Sequence, residues 1–141
     1  MGTYLVVAHR TLVGRHLLDY AVALADQEGC RFHLVVPGYH PHGHAWTDGQ
    51  IEAMAQKRVE EGLEAFAAAG LEATGEAGDE NPVYAASTAL RNVDFECDGI
   101  IVSTLPSGIS HWLKVDVVSR MKREFDLPVT HLTAERSKAS A

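Results

Sequence analysis

Residues able to do chemistry concentrate in three stretches of this 141-residue chain. Tyr39-His40-Pro41-His42-Gly43-His44 places imidazoles at alternate positions, and imidazole is the commonest transition-metal ligand. His40, His42 and His44 would converge on zinc, nickel or copper only if the metal ordered a flexible loop. No cysteine lies nearby and Asp48 is the one close carboxylate, so a solvated, titratable loop is the stronger expectation. A second reading makes it a lid in which Trp46 packs on a ligand or a partner chain. The second stretch, His9-Arg10-Thr11 ahead of Gly14, sets a cation and an imidazole where a helix begins. That arrangement holds an anion, unless His9 merely closes the strand in a solvated loop. The third runs from Ser103 to Asp116 and carries Ser103, Thr104, Ser107, Gly108 and Ser110. Its hydroxyls can donate to phosphate or ribose oxygens, or else satisfy the backbone of their own turns.

The elements around these stretches fix where they lie. Tyr4–Ala8 and Phe32–Val36 are short apolar, β-branched runs suited to strands buried on both faces. Between them Leu17, Leu18, Ala21, Val22 and Ala25 recur at helical spacing from Arg15 to a stop at Gly29. Asp48 is the expected N-cap of a long helix with Ile51, Met54, Ala55, Val59, Leu63 and Phe66 on one face and Gly70 at its end. Leu71–Glu76 reads as a polar edge strand. Gly78-Asp79 is expected to cap a third helix, with Pro82 in its first turn and Val83, Ala86, Leu90 and Val93 as its buried stripe. Ile100–Ser103 is the clearest central strand. A last helix, starting near Ser110 or near Asp116, reaches about residue 126, and Val129–Thr133 is the final strand. Residues 1–133 form one domain, and the small polar tail 134–141 is expected to be disordered. Strands that alternate with helices imply a parallel sheet covered on both faces. Ligands in such sheets sit beyond the carboxyl ends of the strands, where strand order reverses.

Composition narrows the function classes. The 46% apolar and 22% charged residues exclude a wholly disordered chain. Twelve Lys+Arg against 19 Asp+Glu give a net charge of -7, which disfavours nucleic acid as a partner. No apolar run approaches the ~20 residues of a membrane span. Met1-Gly2-Thr3-Tyr4 lacks a secretory basic region, so a cytoplasmic location is expected. Cys30 and Cys97 form no Cys-x-x-Cys pair and read as buried thiols. No nucleophile–base–acid set is legible, which argues against an enzyme. A phosphoacceptor receiver domain would need acidic residues where His9-Arg10 and Thr74-Gly75 stand, and a Walker-type phosphate loop is absent.

Gly78-Asp79-x-x-Pro82, the loop after the fourth strand and the Leu127-Pro128-Val129 approach to the last strand occur in an order that resembles the universal stress protein family over residues 3–133. The resemblance implies an α/β fold of the adenine nucleotide alpha hydrolase-like kind. This is a three-layer αβα sandwich around a five-stranded parallel sheet of order 3-2-1-4-5, commonly a homodimer paired through the last strand. Many members of the family bind ATP through Gly-x-x-Gly, nine residues, then Gly-Ser or Gly-Thr. That spacing falls here on Ser103, Pro106 and Asp116-Val117, so all three glycines are replaced. An acidic residue used after the first strand is also replaced, by His9-Arg10. Pro106 has no N–H to offer a phosphate. Asp116 is expected to cap the last helix with its carboxylate, occupying N–H groups a phosphate would use. It would also repel a triphosphate, by about 4 kcal/mol per charge pair at 4 Å and surface-like dielectric.

The resulting expectation is a small cytoplasmic binding or regulatory protein, similar to universal stress proteins, that does not hold ATP in the usual way. Its site would be the crevice between the first and fourth strands. Arg10 is the anion contact, His9 a neutral hydrogen-bonding partner, and Ser103, Thr104, Ser107, Gly108 and Ser110 form the cradle. The occupant is a small anion or a nucleotide smaller than a triphosphate, or nothing; the alternative is a stress-response protein that binds an adenine nucleotide of AMP or ATP type in the same crevice. The competing expectation is a ligand-free homodimer acting through Trp112 and the histidine loop.

Overall fold

In the computed structural model, residues 2–9, 11–12, 14–38, 47–92, 96–105, 112 and 116–134 are described. The chain order is β1 (Thr3–Val7), α1 (Arg15–Glu28), β2 (Arg31–Pro37), α2 (Asp48–Ala68), β3 (Ala73–Gly78), α3 (Pro82–Asn92), β4 (Gly99–Thr104), α4 (Val117–Glu124) and β5 (Val129–Thr133). The strands form one sheet of order β3-β2-β1-β4-β5, parallel at each pairing. This is the doubly covered α/β architecture expected from the sequence. Strand order reverses between β1 and β4, the two neighbours that begin the separate halves of the sheet.

Alternating side chains divide the core into two layers. Val6, Leu34 and Ile101 point to one side and pack with Leu17 and Ala21 of α1 and Ala55, Val59 and Phe66 of α2. Leu5, Val7, Val35, Ile100 and Val102 point to the other and pack with Val83, Ala86 and Ala89 of α3 and Val117 and Met121 of α4. Phe32 and Phe66 meet edge to face with ring centroids 5.6 Å apart, a favoured aromatic geometry. At Gly62, on the inner face of α2, a Cβ would collide with Leu12 and approach Leu34 to 3.2 Å. The absent side chain lets α2 lie close over the turn that follows β1.

Several element ends differ from the sequence expectation. β3 runs two residues later than Leu71–Glu76, because Gly70 and the residues after it are spent leaving α2; Gly70 has φ 81°, a conformation natural to glycine. The cap of α2 is Thr47 and not Asp48. Its Oγ1 accepts from the Gln50 N–H at 3.1 Å, and the Gln50 Oε1 accepts from the Thr47 N–H at 2.9 Å. This reciprocal capping box is encoded one residue earlier than the carboxylate. At α3, Asn81 takes the role expected of Gly78-Asp79. Its Oδ1 accepts from the N–H groups of Val83 and Tyr84 at 3.0 and 3.2 Å, while Asp79 Oδ1 turns the chain by accepting from the Asn81 N–H. Gly78 is the last residue of β3.

Of the two expected starts, α4 takes the later, at Val117. The capping role expected of Asp116 is overturned: its backbone is left-handed, φ 58° and ψ 44°, and its side chain makes no capping hydrogen bond. Trp112 is half-buried against the layer under α3 and α4, so much of its ring is committed to the protein's own interior. Cys30 and Cys97 are free thiols, Cys30 buried and Cys97 partly so. Burial is the main force pushing both above the ordinary thiol range. No helix among the described residues is long and apolar enough to cross a membrane.

Candidate functional site

Beyond the carboxyl ends of β1 and β4, the chain gathers a buried polar cluster. β1 is followed by a tight turn in which Leu12 N–H donates to His9 C=O at 3.4 Å and Gly14 N–H to Thr11 C=O at 3.0 Å. The turn brings Thr11 under the end of β4 and delivers the chain to α1, whose first turn carries His16. Ser103 points to the α1 side of the sheet because Val102 and Thr104 on either side point to the other. Its Oγ lies 2.6 Å from Thr11 Oγ1 and 2.8 Å from His16 Nε2. Ser103 and Thr11 are buried, and His16 is partly exposed. Gly14 makes room for the imidazole: a Cβ there would stand 2.7 Å from His16 Cε1.

The inventory of protons makes this cluster directional. Ser103 has one hydroxyl proton and two neighbours that need it or supply it. If Ser103 donates to an unprotonated Nε2, Thr11 donates to Ser103. If Nε2 carries a proton, Ser103 donates to Thr11. The proton on Nε2 and the direction of the Thr11–Ser103 hydrogen bond are therefore linked.

The expected site residues divide three ways. Ser103 joins this cluster, and His9 is buried in the turn just below it. Thr104 is buried on the other face, with Oγ1 2.8 Å from His131 Nε2 of β5, so its hydroxyl and that of Ser103 lie on opposite faces of the sheet. Burial, with a smaller contribution from Lys122, holds the His131 imidazole below its ordinary range. Arg10, Ser107, Gly108 and Ser110, the candidate metal ligands His40, His42 and His44, and the tail after Ala134 lie outside the described residues. Among the described residues, no group of His, Cys, Asp and Glu is placed to hold a metal ion. Thr11 stands in the His9-Arg10-Thr11 stretch picked out in the sequence but is given no role of its own there, and His16 is not singled out; the available signal is Gly14, two residues before an imidazole.

No family model and no curated protein sequence matches the chain. Its fold is nonetheless that of several solved universal stress proteins. A protein of that family from Burkholderia pseudomallei superposes with a TM-score of 0.63 at 16% identity, covering 93% of this chain and 95% of its own. A universal stress protein from Archaeoglobus fulgidus gives 0.64 at 16%, covering 93% of each. A universal stress protein in complex with cAMP gives 0.61 at 14%, covering 94% of this chain and 98% of its own. The fold and the 3-2-1-4-5 sheet implied by the sequence resemblance are therefore those of this chain.

Proposed function

We propose that the protein is a cytoplasmic binding or regulatory protein of the universal stress type, which takes a small adenine nucleotide of low charge between β1 and β4. The observation that carries this reading is the Thr11–Ser103–His16 cluster at the strand-order reversal. Two hydroxyls and an imidazole supply hydrogen-bond donors and acceptors suited to ribose or to a singly charged phosphate. The cAMP complex of a protein with the same fold supports the ligand class. Asp116 sharpens it. With no side-chain bond to the start of α4, it leaves those N–H groups to other acceptors, while its charge repels a ligand in proportion to the ligand's own. A cyclic or simple monophosphate is thus preferred over a triphosphate. A homodimer paired through β5, a strand at the sheet edge, belongs to the same reading.

Titration calorimetry with cAMP, AMP and ATP tests it. A monophosphate is expected to bind at least about tenfold more tightly than ATP, and Ser103→Ala to weaken binding by about tenfold, the worth of one good hydrogen bond. Absence of heat with every nucleotide, from protein shown to be folded, would refute the reading.

A further inference from the structure

A third hydroxyl–imidazole pair lies on the face of the sheet opposite Ser103, between β2 and the edge strand β3. His33 of β2 stands directly across from Thr74 of the edge strand β3, and Glu76 is the next β3 residue on that face. Thr74 Oγ1 is 2.7 Å from His33 Nδ1, and Glu76 Oε2 is 2.7 Å from His33 Nε2. A carboxylate only accepts, so Nε2 carries the proton. In the neutral ring Nδ1 is then the acceptor, and the Thr74 hydroxyl donates to it. His33 is 8% exposed and its ring is held from both ends, whereas Thr74 is exposed on the sheet edge. This is a nucleophile, a base and a group that orients the base, in the order acyl transfer requires.

Glu76 also forms part of the wall of a cavity of about 540 Å³ between α2, α3 and the end of β3, a size typical of small-molecule sites. Glu52, Asp79 and Glu80 share that wall, and no lysine or arginine is among its described residues. Tyr84, 55% exposed, adds an aromatic face. Carboxylates with an aromatic ring attract a cation, above all a quaternary ammonium.

We propose that Thr74, His33 and Glu76 form an acyl-transfer site for small esters or thioesters bearing a positive charge, which rests in the acidic cavity. Thr74 Oγ1 attacks the carbonyl carbon as its proton passes to His33 Nδ1. Glu76, a positioning residue, stabilises the imidazolium through Nε2–H. Collapse of the tetrahedral intermediate breaks the bond to the alcohol or thiol, which leaves with the proton from Nδ1. Water then gives a proton to His33 Nδ1 and attacks the acyl-threonine; as the bond between the acyl carbon and Thr74 Oγ1 breaks, His33 returns that proton to Oγ1, releasing the carboxylic acid and restoring Thr74.

Thiol release from acetylthiocholine, against its uncharged isostere 3,3-dimethylbutyl thioacetate, tests this on the full chain. The charged thioester is expected to show at least about tenfold higher kcat/KM, the scale of electrostatic steering. Thr74→Val, which keeps the shape but removes the hydroxyl that His33 Nδ1 accepts from, should abolish release from protein shown by circular dichroism to be folded at the assay temperature, and Thr74→Ser should restore it. Glu76→Gln should lower kcat by more than about tenfold while KM moves less than about threefold, the split expected of a group acting on the base. A fluorophosphonate should add its mass to the peptide containing Thr74. Release at the buffer rate, equal turnover of the two thioesters, or activity that survives Thr74→Val would overturn the proposal.

Discussion

Asp116 shows how far a residue's type and its conformation can part. Read as a carboxylate before a helix, it is a cap; in the fold it is a non-glycine residue at φ 58° with no capping bond. Left-handed backbone costs an L-residue roughly 1–2 kcal/mol, less for Asp and Asn. Glycine removes that cost but loses more freedom on folding, by roughly 0.5–1 kcal/mol. Asp116→Gly is therefore expected to change stability by no more than about 0.5 kcal/mol, with the urea midpoint as the measure, while tightening nucleotide binding by removing a charge. His131 gives a second prediction at this scale. Its imidazole lies below 6.5 in the folded chain because of burial and then Lys122, so the unfolded chain binds the proton more tightly. Stability from this group is full above pH 6.5 and is lost as pH falls through the lowered folded value. His131→Gln should flatten the fall in urea midpoint across that window, and an unchanged slope would contradict the assignment. Single residues were the hardest features to foresee. Ser103 was legible because it directly follows the apolar run Ile100–Val102 of β4, whereas His16 and His33 became informative only when the fold brought Thr11, Thr74 and Glu76 to them. A histidine inside the run Phe32–Val36 is itself a signal, since a buried polar ring requires partners.

Helices and strands were legible wherever burial sets a period. The alternation of short β-branched runs with 3.6-residue stripes carried the element order and, with the resemblance, the sheet order. Their ends were less so, because an end is decided by which side chain wins a few backbone N–H groups. At α2, Thr47 wins because Gln50 can return the bond three residues later; at α3, Asn81 wins because it stands immediately before Pro82. Polar β3 lacks a hydrophobic pattern, and its expected bounds, Leu71–Glu76, stand two residues ahead of the observed Ala73–Gly78. Caps of this kind contribute about 1 kcal/mol, within a range of 0.5–2. Thr47→Ala should lower the unfolding free energy by about 1 kcal/mol without changing its denaturant dependence. A loss below a few tenths would mean that the Gln50 side chain alone sustains the start of α2.

For the whole molecule the decisive feature is one sheet serving two cores. Ile100 and Ile101 are adjacent on β4, both 1% exposed, yet Ile100 packs in the layer under α3 and α4 and Ile101 in the layer under α1 and α2. Each loses one methyl group on mutation to valine, at a cost of about 0.5–1.5 kcal/mol. Their side chains share no packing partner across the sheet, so the costs should add to within about 0.5 kcal/mol despite their adjacency. The backbone that separates them is the same hydrogen-bonded strand, paired with β1 on one side and β5 on the other. Losing either layer exposes that strand, so the two cores should melt in one transition, as small domains do. Urea unfolding of Ile100→Val, Ile101→Val and the double variant, followed by tryptophan fluorescence and by circular dichroism, measures both. Additive losses with coincident curves are expected. A double variant whose loss departs from the sum by more than about 1 kcal/mol would show the layers repacking through the sheet, and separated curves would show that the helices on one face leave before the other.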